Sequence, residues 1–175
     1  MTKDEEKKIR KSVLDILREN ELLSLATYNK RKKQPSICSL YYTYNENLII
    51  YYWSEKNANH SKNLVDNSHV AVNIAKSTQE WGSSLKGLKI YGTVKEANNN
   101  ELFIGGMLYI KRFKGVRKFV KIAKDFNSKI FNSKLYVIKP IKIIVLDEKQ
   151  FGKEVYKEIN IKWQKKKFPI QTSKN

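Results

Sequence analysis

The chain has little of what many chemistries need. Of its 175 residues one is cysteine, two are histidine, three are proline and seven are glycine. A single thiol, Cys38, excludes an internal disulfide framework, and two histidines with one cysteine do not make a zinc site. No apolar run reaches the roughly 18 residues that a membrane-spanning helix needs. The first residues, MTKDEEKKIRKS, are highly charged and hold no apolar core of a secretory signal, so a cytoplasmic location is expected. There is no Walker phosphate loop and no serine-hydrolase elbow. Internal repeats and Pro- or Ser-rich linkers are absent too. The length suits one domain with a real core and is too short for two ordinary ones.

What the chain has in excess is lysine. The formal net charge is +18, and residues 101–175 carry 19 basic and 6 acidic side chains, so they hold +13 of it. Two readings fit this block. Lysine, asparagine and isoleucine are used heavily throughout, as in an A/T-rich genome, which places lysine on solvated faces for no binding reason. Alternatively the block attracts nucleic acid, an anionic membrane surface or anionic ligands.

Periodicity sets the order of elements. Residues 4–19 predict an amphipathic helix, with Ile9, Val13, Ile16 and Leu17 at helical spacing. Thr2 and Glu5 form a capping-box pattern, and Asp4, Glu5 and Glu6 suit the positive helix end. Short apolar runs predict strands at 22–28, 36–44 and 48–53, the last two joined by the tight turn 45–47. Strand 36–44 is partly apolar on both faces, as in a barrel wall with something packed outside. A short helix at 57–67 follows, then strands at 70–74 and 88–97. Gly92 inside the latter marks a bulge or a close backbone approach. Residues 98–111 predict a helix that Gly105-Gly106 weakens, and 116–126 a strongly basic one. Strands at 135–138 and 141–146 flank Pro140, which suggests a bend or an edge. Residues 1–150 are thus read as one barrel domain with an N-terminal helix and a helical insertion at about 98–130, and 151–175 as a basic, partly flexible tail.

The central stretch is IIYYWSEKNANHSKNL at 49–64. It predicts a buried strand running through a polar loop into a helix start, a common place to hold a phosphate. His60 and Lys62 add donors or charge there. Their bland readings are an exposed helix residue and a solvated lysine.

Four pieces in sequence carry a resemblance. They are LLSLATYNKRKKQPSICSLYYTY at 22–44, IIYYWSEKNANHSKNLVDNSHVAVNI at 49–74, WGSSLKGLKIYGTVKEA at 81–97, and IKRFKGVRKF at 110–119 with LYVIKPIKIIVLDEKQFGK at 135–153. Their order and spacing resemble the FMN-binding split-barrel proteins related to pyridoxamine 5′-phosphate oxidase, in particular a small bacterial subfamily. The resemblance implies a mainly β fold, a six- to seven-stranded antiparallel split barrel with flanking helices. It also implies a homodimer with two flavin sites at the subunit interface, and FMN as cofactor. Carried over residue by residue, the phosphate falls to Asn59, His60, Ser61 and Lys62, although many relatives have Arg-Lys where this chain has Asn59-His60. The flavin ring would lie against Ser39, Leu40 and Tyr41 of the second strand and Tyr52, Trp53 and Ser54 of the third, read largely by backbone groups. Trp81, Lys86 and Gly87 would approach it from the partner subunit. For the aromatic residues the competing reading is barrel core or dimer interface. Cys38 reads as an inert core thiol and His69 as structural or exposed. The tail has no arginine after Arg117, so the arginine-rich motif of the true oxidase is missing and the likeness is to the scaffold.

Three functions are thus set against each other. One is an FMN-dependent oxidoreductase acting on an unknown small molecule. Another is a flavin- or haem-binding module without turnover. The last is a nucleic-acid or anionic-surface binder using the basic stretch 111–129 with its interleaved Phe113, Phe119 and Phe126.

Overall fold

The computed structural model describes residues 1–115 and 133–163. The basic helix expected at 116–126 lies outside them. The core is an antiparallel barrel of six strands: β1 Leu22–Asn29, β2 Gln34–Tyr44, β3 Ile50–Glu55, β4 His69–Ala75, β5 Lys86–Glu96 and β6 Ser133–Asp147. The order around the barrel is β3-β2-β1-β4-β5-β6, and pairing of β3 with β6 closes it. A seventh strand, β7 Tyr156–Asn160, comes from the segment read as tail. It pairs with the second half of β6, through Lys142–Leu146, while β3 pairs with the first half, Ser133–Ile138. The fold is therefore the mainly β split barrel that the sequence implies.

Strand alternation builds the interior. Leu23 and Leu25 of β1, Tyr42 of β2, Ile50 and Tyr52 of β3, Val72 of β4 and Leu88 and Ile90 of β5 all point inward and are buried. Helix α1, Lys3–Glu19, joins this core through Ile9, Val13, Ile16 and Leu17. Its start shows one half of the expected capping box, Thr2 accepting from the Glu5 backbone N–H, while the Glu5 carboxylate pairs with Lys157. Helix α2, Asn59–Asp66, follows β3 and contributes Leu64 to the same cluster.

Helix α3, Asn99–Arg112, lies outside the barrel over β2 and β6. Its start is a full capping box between Asn98 and Glu101. The glycine pair that lowers its helix propensity is what lets it dock. A Cβ on Gly105 would stand 2.6 Å from the Leu135 side chain and 2.8 Å from the Tyr51 ring. Tyr51, Tyr109, Leu135 and Val137 make a second small core there.

Pro140 corrects one expectation. β6 is one continuous strand and does not break around it. The ladder between β5 and β6 shifts register between Tyr91 and Gly92: Tyr91 faces Lys142 and Gly92 faces Pro140, leaving Ile141 as the extra residue. Such a bulge absorbs a residue with no N–H to give. Gly92 is required on the facing strand, because a Cβ there would come within 2.5 Å of the Lys139 carbonyl oxygen. A short helix α4, Glu148–Phe151, capped by Asp147, leads from β6 toward β7. Among the described residues no helix is long and apolar enough to cross a membrane.

Candidate cofactor site

The β2–β3 seam of the barrel wall closes only in part. β2 and β3 share three register pairs, Tyr42 with Tyr52, Thr43 with Tyr51 and Tyr44 with Ile50. Beyond them β3 continues along β6 through Trp53, Ser54 and Glu55, while β2 continues along β1 through Tyr41, Leu40 and Ser39. The two strands part company there. The Tyr42 N–H bonds to the Glu21 carbonyl on the β1 side. Strand alternation then turns the N–H and C=O groups of Tyr41 and Ser39 away from β1 and into the seam.

Tyr109 of α3 bridges the seam at the point of parting. Its hydroxyl donates to the Tyr41 carbonyl and takes a hydrogen bond from the Trp53 backbone. Burial raises the phenol pKa well above its ordinary range, so the group stays a donor. Its ring stands edge-on to Trp53, with centroids 6.4 Å apart, and against Phe113 at 5.3 Å. Tyr41, which is largely exposed, meets Phe113 edge-on at 5.7 Å.

Past this bridge the seam runs to the start of α2. The N-cap, Ala58, has no side chain that could bond the first-turn N–H groups. His60 Nε2 lies 2.6 Å from Ser54 Oγ, and Ser61 Oγ donates to Ser54 Oγ at 3.4 Å. Burial lowers the His60 pKa below its ordinary 6.5, so the imidazole that shares a hydrogen bond with Ser54 is neutral at neutral pH. Asn63 Nδ2 donates to Thr27 Oγ1 at 3.1 Å and ties the helix to β1. Asn59 and Lys62 are exposed.

The candidates named from sequence divide clearly. Ser39, Tyr41 and Trp53 lie on the outer face of the wall beside the seam. Leu40, Tyr52 and Ser54 point inward. Tyr52 is fully buried and stacks on Tyr136 at 5.3 Å, with its hydroxyl unpartnered inside the barrel. Asn59, His60, Ser61 and Lys62 gather at the first turn of α2. Cys38 is half-buried, with its thiol pKa raised by burial, and His69 is exposed at the start of β4.

Trp81, Lys86 and Gly87 are in another part of the molecule. Trp81 is fully exposed. Lys86 pairs with Glu19 of α1 at 3.0 Å, and Gly87 sits beside Ala75. Lys86 and Gly87 line a shallow, mostly apolar cleft floored by Ala75, Ile144 and Leu146 and edged by Tyr156. Within one chain the three do not meet the α2 turn. The Tyr109 bridge was missed from sequence. So was Arg112, which donates to the Leu17 and Asn20 carbonyls and sits 4.9 Å from the Tyr42 ring centre. The apolar spacing of α3 is visible in the sequence, but which strands it crosses is not.

No family model matches the sequence, and no curated protein matches it. Solved structures do match in shape. One is a protein from Clostridium acetobutylicum described as related to general stress protein 26 of Bacillus subtilis, of the pyridoxinephosphate oxidase family. It is 11% identical with TM-score 0.61, over 88% of this chain and 95% of that one. A putative pyridoxamine 5′-phosphate oxidase from Listeria innocua is 17% identical with TM-score 0.56, over 79% of this chain and 98% of that one. A haem-binding protein from Mycobacterium smegmatis is 11% identical with TM-score 0.69, over 86% of this chain but only 57% of its own length. At such identities the likeness establishes the fold.

Proposed function

We propose that this chain binds FMN in the β2–β3 seam as a cytoplasmic homodimer and serves as an oxidoreductase acting on a small molecule. The observation that carries the reading is the half-open seam, lined by strand-edge backbone groups and ending at a helix start with no side-chain cap. A flat ring with a polar edge suits the backbone groups of Ser39 and Tyr41, with Trp53 alongside. A phosphate suits the first turn of α2, where free N–H groups, Lys62 and Asn59 can donate. His60 helps chiefly through Ser54, since its imidazole is held neutral. A bound flavin supplies the electron or hydride chemistry, and the protein supplies binding, orientation and polarity.

A second copy of the chain would bring Trp81, Lys86 and Gly87 to the seam. Support for pairing comes from the outer wall. Ile37, Ala26, Ala71 and Tyr91 form one cross-strand row on β2, β1, β4 and β5. Ile37 is 72% exposed and Tyr91 44%, an apolar row left uncovered by the helices among the described residues.

Haem is the competing ligand, since the Mycobacterium smegmatis neighbour and a haem storage protein from Vibrio cholerae share the fold. The seam favours flavin, because its one histidine already holds Ser54 through Nε2. Titrations of the purified chain with FMN and with haemin, followed by absorbance, test this. FMN should saturate the protein, and the double variant His60→Ala/Lys62→Ala should bind about tenfold more weakly while remaining dimeric, as expected for loss of one charge-assisted contact. Unchanged affinity would place the phosphate elsewhere, and a haem band with no FMN binding would overturn the reading.

A further inference from the structure

Helices α1 and α3 both cover the barrel, and their outward faces differ in kind. The outward side of α1 carries Lys3, Asp4, Glu6, Lys7, Lys8, Arg10 and Lys11, all exposed. The outward side of α3 carries Asn99, Asn100, Phe103, Ile104, Met107 and Lys111. Phe103 is 59% exposed, Met107 47% and Ile104 37%. They sit one turn apart on one stripe. The opposite side of α3 is apolar as well, closing on Tyr51 and Leu135 through Gly105 and Tyr109. A helix apolar on both sides is one that expects cover on both.

The charge around this stripe indicates what the cover is. Lys111 stands exposed in its last turn and Lys114 just past its C-terminal end. The nearby carboxylates are already engaged: Glu101 with Lys95 at 2.7 Å and with the Asn98 backbone, and Glu96 with Lys134 at 3.8 Å. A partner must therefore be apolar in its interior and anionic at its surface. A nucleic acid meets the charge but has no apolar bed for Phe103 and Met107. A second copy would bring the same lysines against this face.

We propose that the outer face of α3 docks on an anionic lipid surface. Phe103, Ile104 and Met107 enter the boundary between headgroups and acyl chains, and Lys111 and Lys114 pair with lipid phosphates. The association is peripheral and does not depend on the cofactor reading.

Co-sedimentation of the full chain tests it, with phosphatidylcholine vesicles and with vesicles about one third phosphatidylglycerol, at low and high salt. Retention is expected on the anionic vesicles, with a loss of about tenfold or more at high salt. Phe103→Asp/Met107→Asp should lose about fivefold or more at low salt while keeping the wild-type melting temperature, since both side chains are exposed. A Phe103→Trp variant should show a blue-shifted emission component on anionic vesicles. Absence of retention, equal retention on neutral vesicles, an unaffected double variant, or an unshifted Phe103→Trp would each overturn the proposal. So would duplex DNA that binds tightly and displaces the protein from vesicles with no effect of the double variant.

Discussion

Two seams of one barrel are built in opposite ways. β5 and β6 run together from Lys86 opposite Asp147 to Glu96 opposite Tyr136, with one bulge. β2 and β3 pair over three residues and then separate, and a side chain from α3 crosses the gap. The long seam satisfies its backbone groups internally along its whole length. The short seam leaves backbone groups facing a slot, with a helix start at its end. Stability and binding capacity are therefore concentrated in different parts of the same wall, and each can be perturbed separately.

The largest effect is expected in the long seam. Gly92→Val places a Cβ where it meets backbone, 2.5 Å from the Lys139 oxygen and 3.1 Å from the Pro140 Cα. Backbone cannot rotate away as a side chain can, so the two strands must separate. A loss of about 3 kcal/mol or more is expected, read from the urea midpoint. Binding of FMN by the folded fraction should fall less than stability does, because Gly92 is on neither β2, β3 nor α2. A normal midpoint for this variant would mean that the bulge is soft and that the contrast between the seams is overstated.

A smaller effect is expected across the short seam. Tyr109→Phe keeps the ring contacts with Trp53 and Phe113 and removes the hydroxyl that joins Tyr41 to the Trp53 backbone. Two part-buried backbone groups lose a partner unless water enters, at a cost of about 1 kcal/mol. Hydrogen exchange should show the Trp53 amide losing protection while the β5 amides keep theirs. Equal loss of protection in both seams would show that they unfold as one unit, which would break the distinction.

The sequence made one seam much easier to read than the other. Inward alternation at Leu23 and Leu25, and at Leu88 and Ile90, announces β1 and β5, and Gly92 announces a bulge. Pro140 misleads because its missing N–H matters only if the partner strand stays in register, and the bulge removes that condition. β7 is hard to see because it is an edge strand that buries only Ile159. The Tyr109 bridge joins residues 68 apart in sequence. It depends on α3 lying close to the sheet, which Gly105 permits by lacking a side chain. Read by helix propensity alone, that glycine argues against the helix, and only the packing reverses its meaning. The first turn of α2 was legible as a place, but His60 was read as a source of donors or charge. The short contact with Ser54 and the burial that keeps it neutral arise from folding.

The smallest effect is expected in the pH dependence of that histidine. Its folded pKa lies below the ordinary 6.5 because burial disfavours the imidazolium. The unfolded chain therefore takes up the proton first as pH falls. The stability contributed by the neutral ring is complete above about pH 6.5 and is lost as pH falls through the folded value. The ring is only half-buried, so solvent screening keeps the drift small. Melting temperatures of the wild type and of His60→Gln across this range isolate it, since the carboxylates titrate alike in both. The wild type should lose stability relative to the variant toward acid pH. An anion seated at the α2 turn would favour the charged ring, so saturating FMN should shrink or reverse that drift. Parallel profiles for the two proteins without ligand would show that the imidazole is not held neutral. A drift that FMN leaves unchanged would put the phosphate away from the short seam and remove the functional half of the contrast between the two seams.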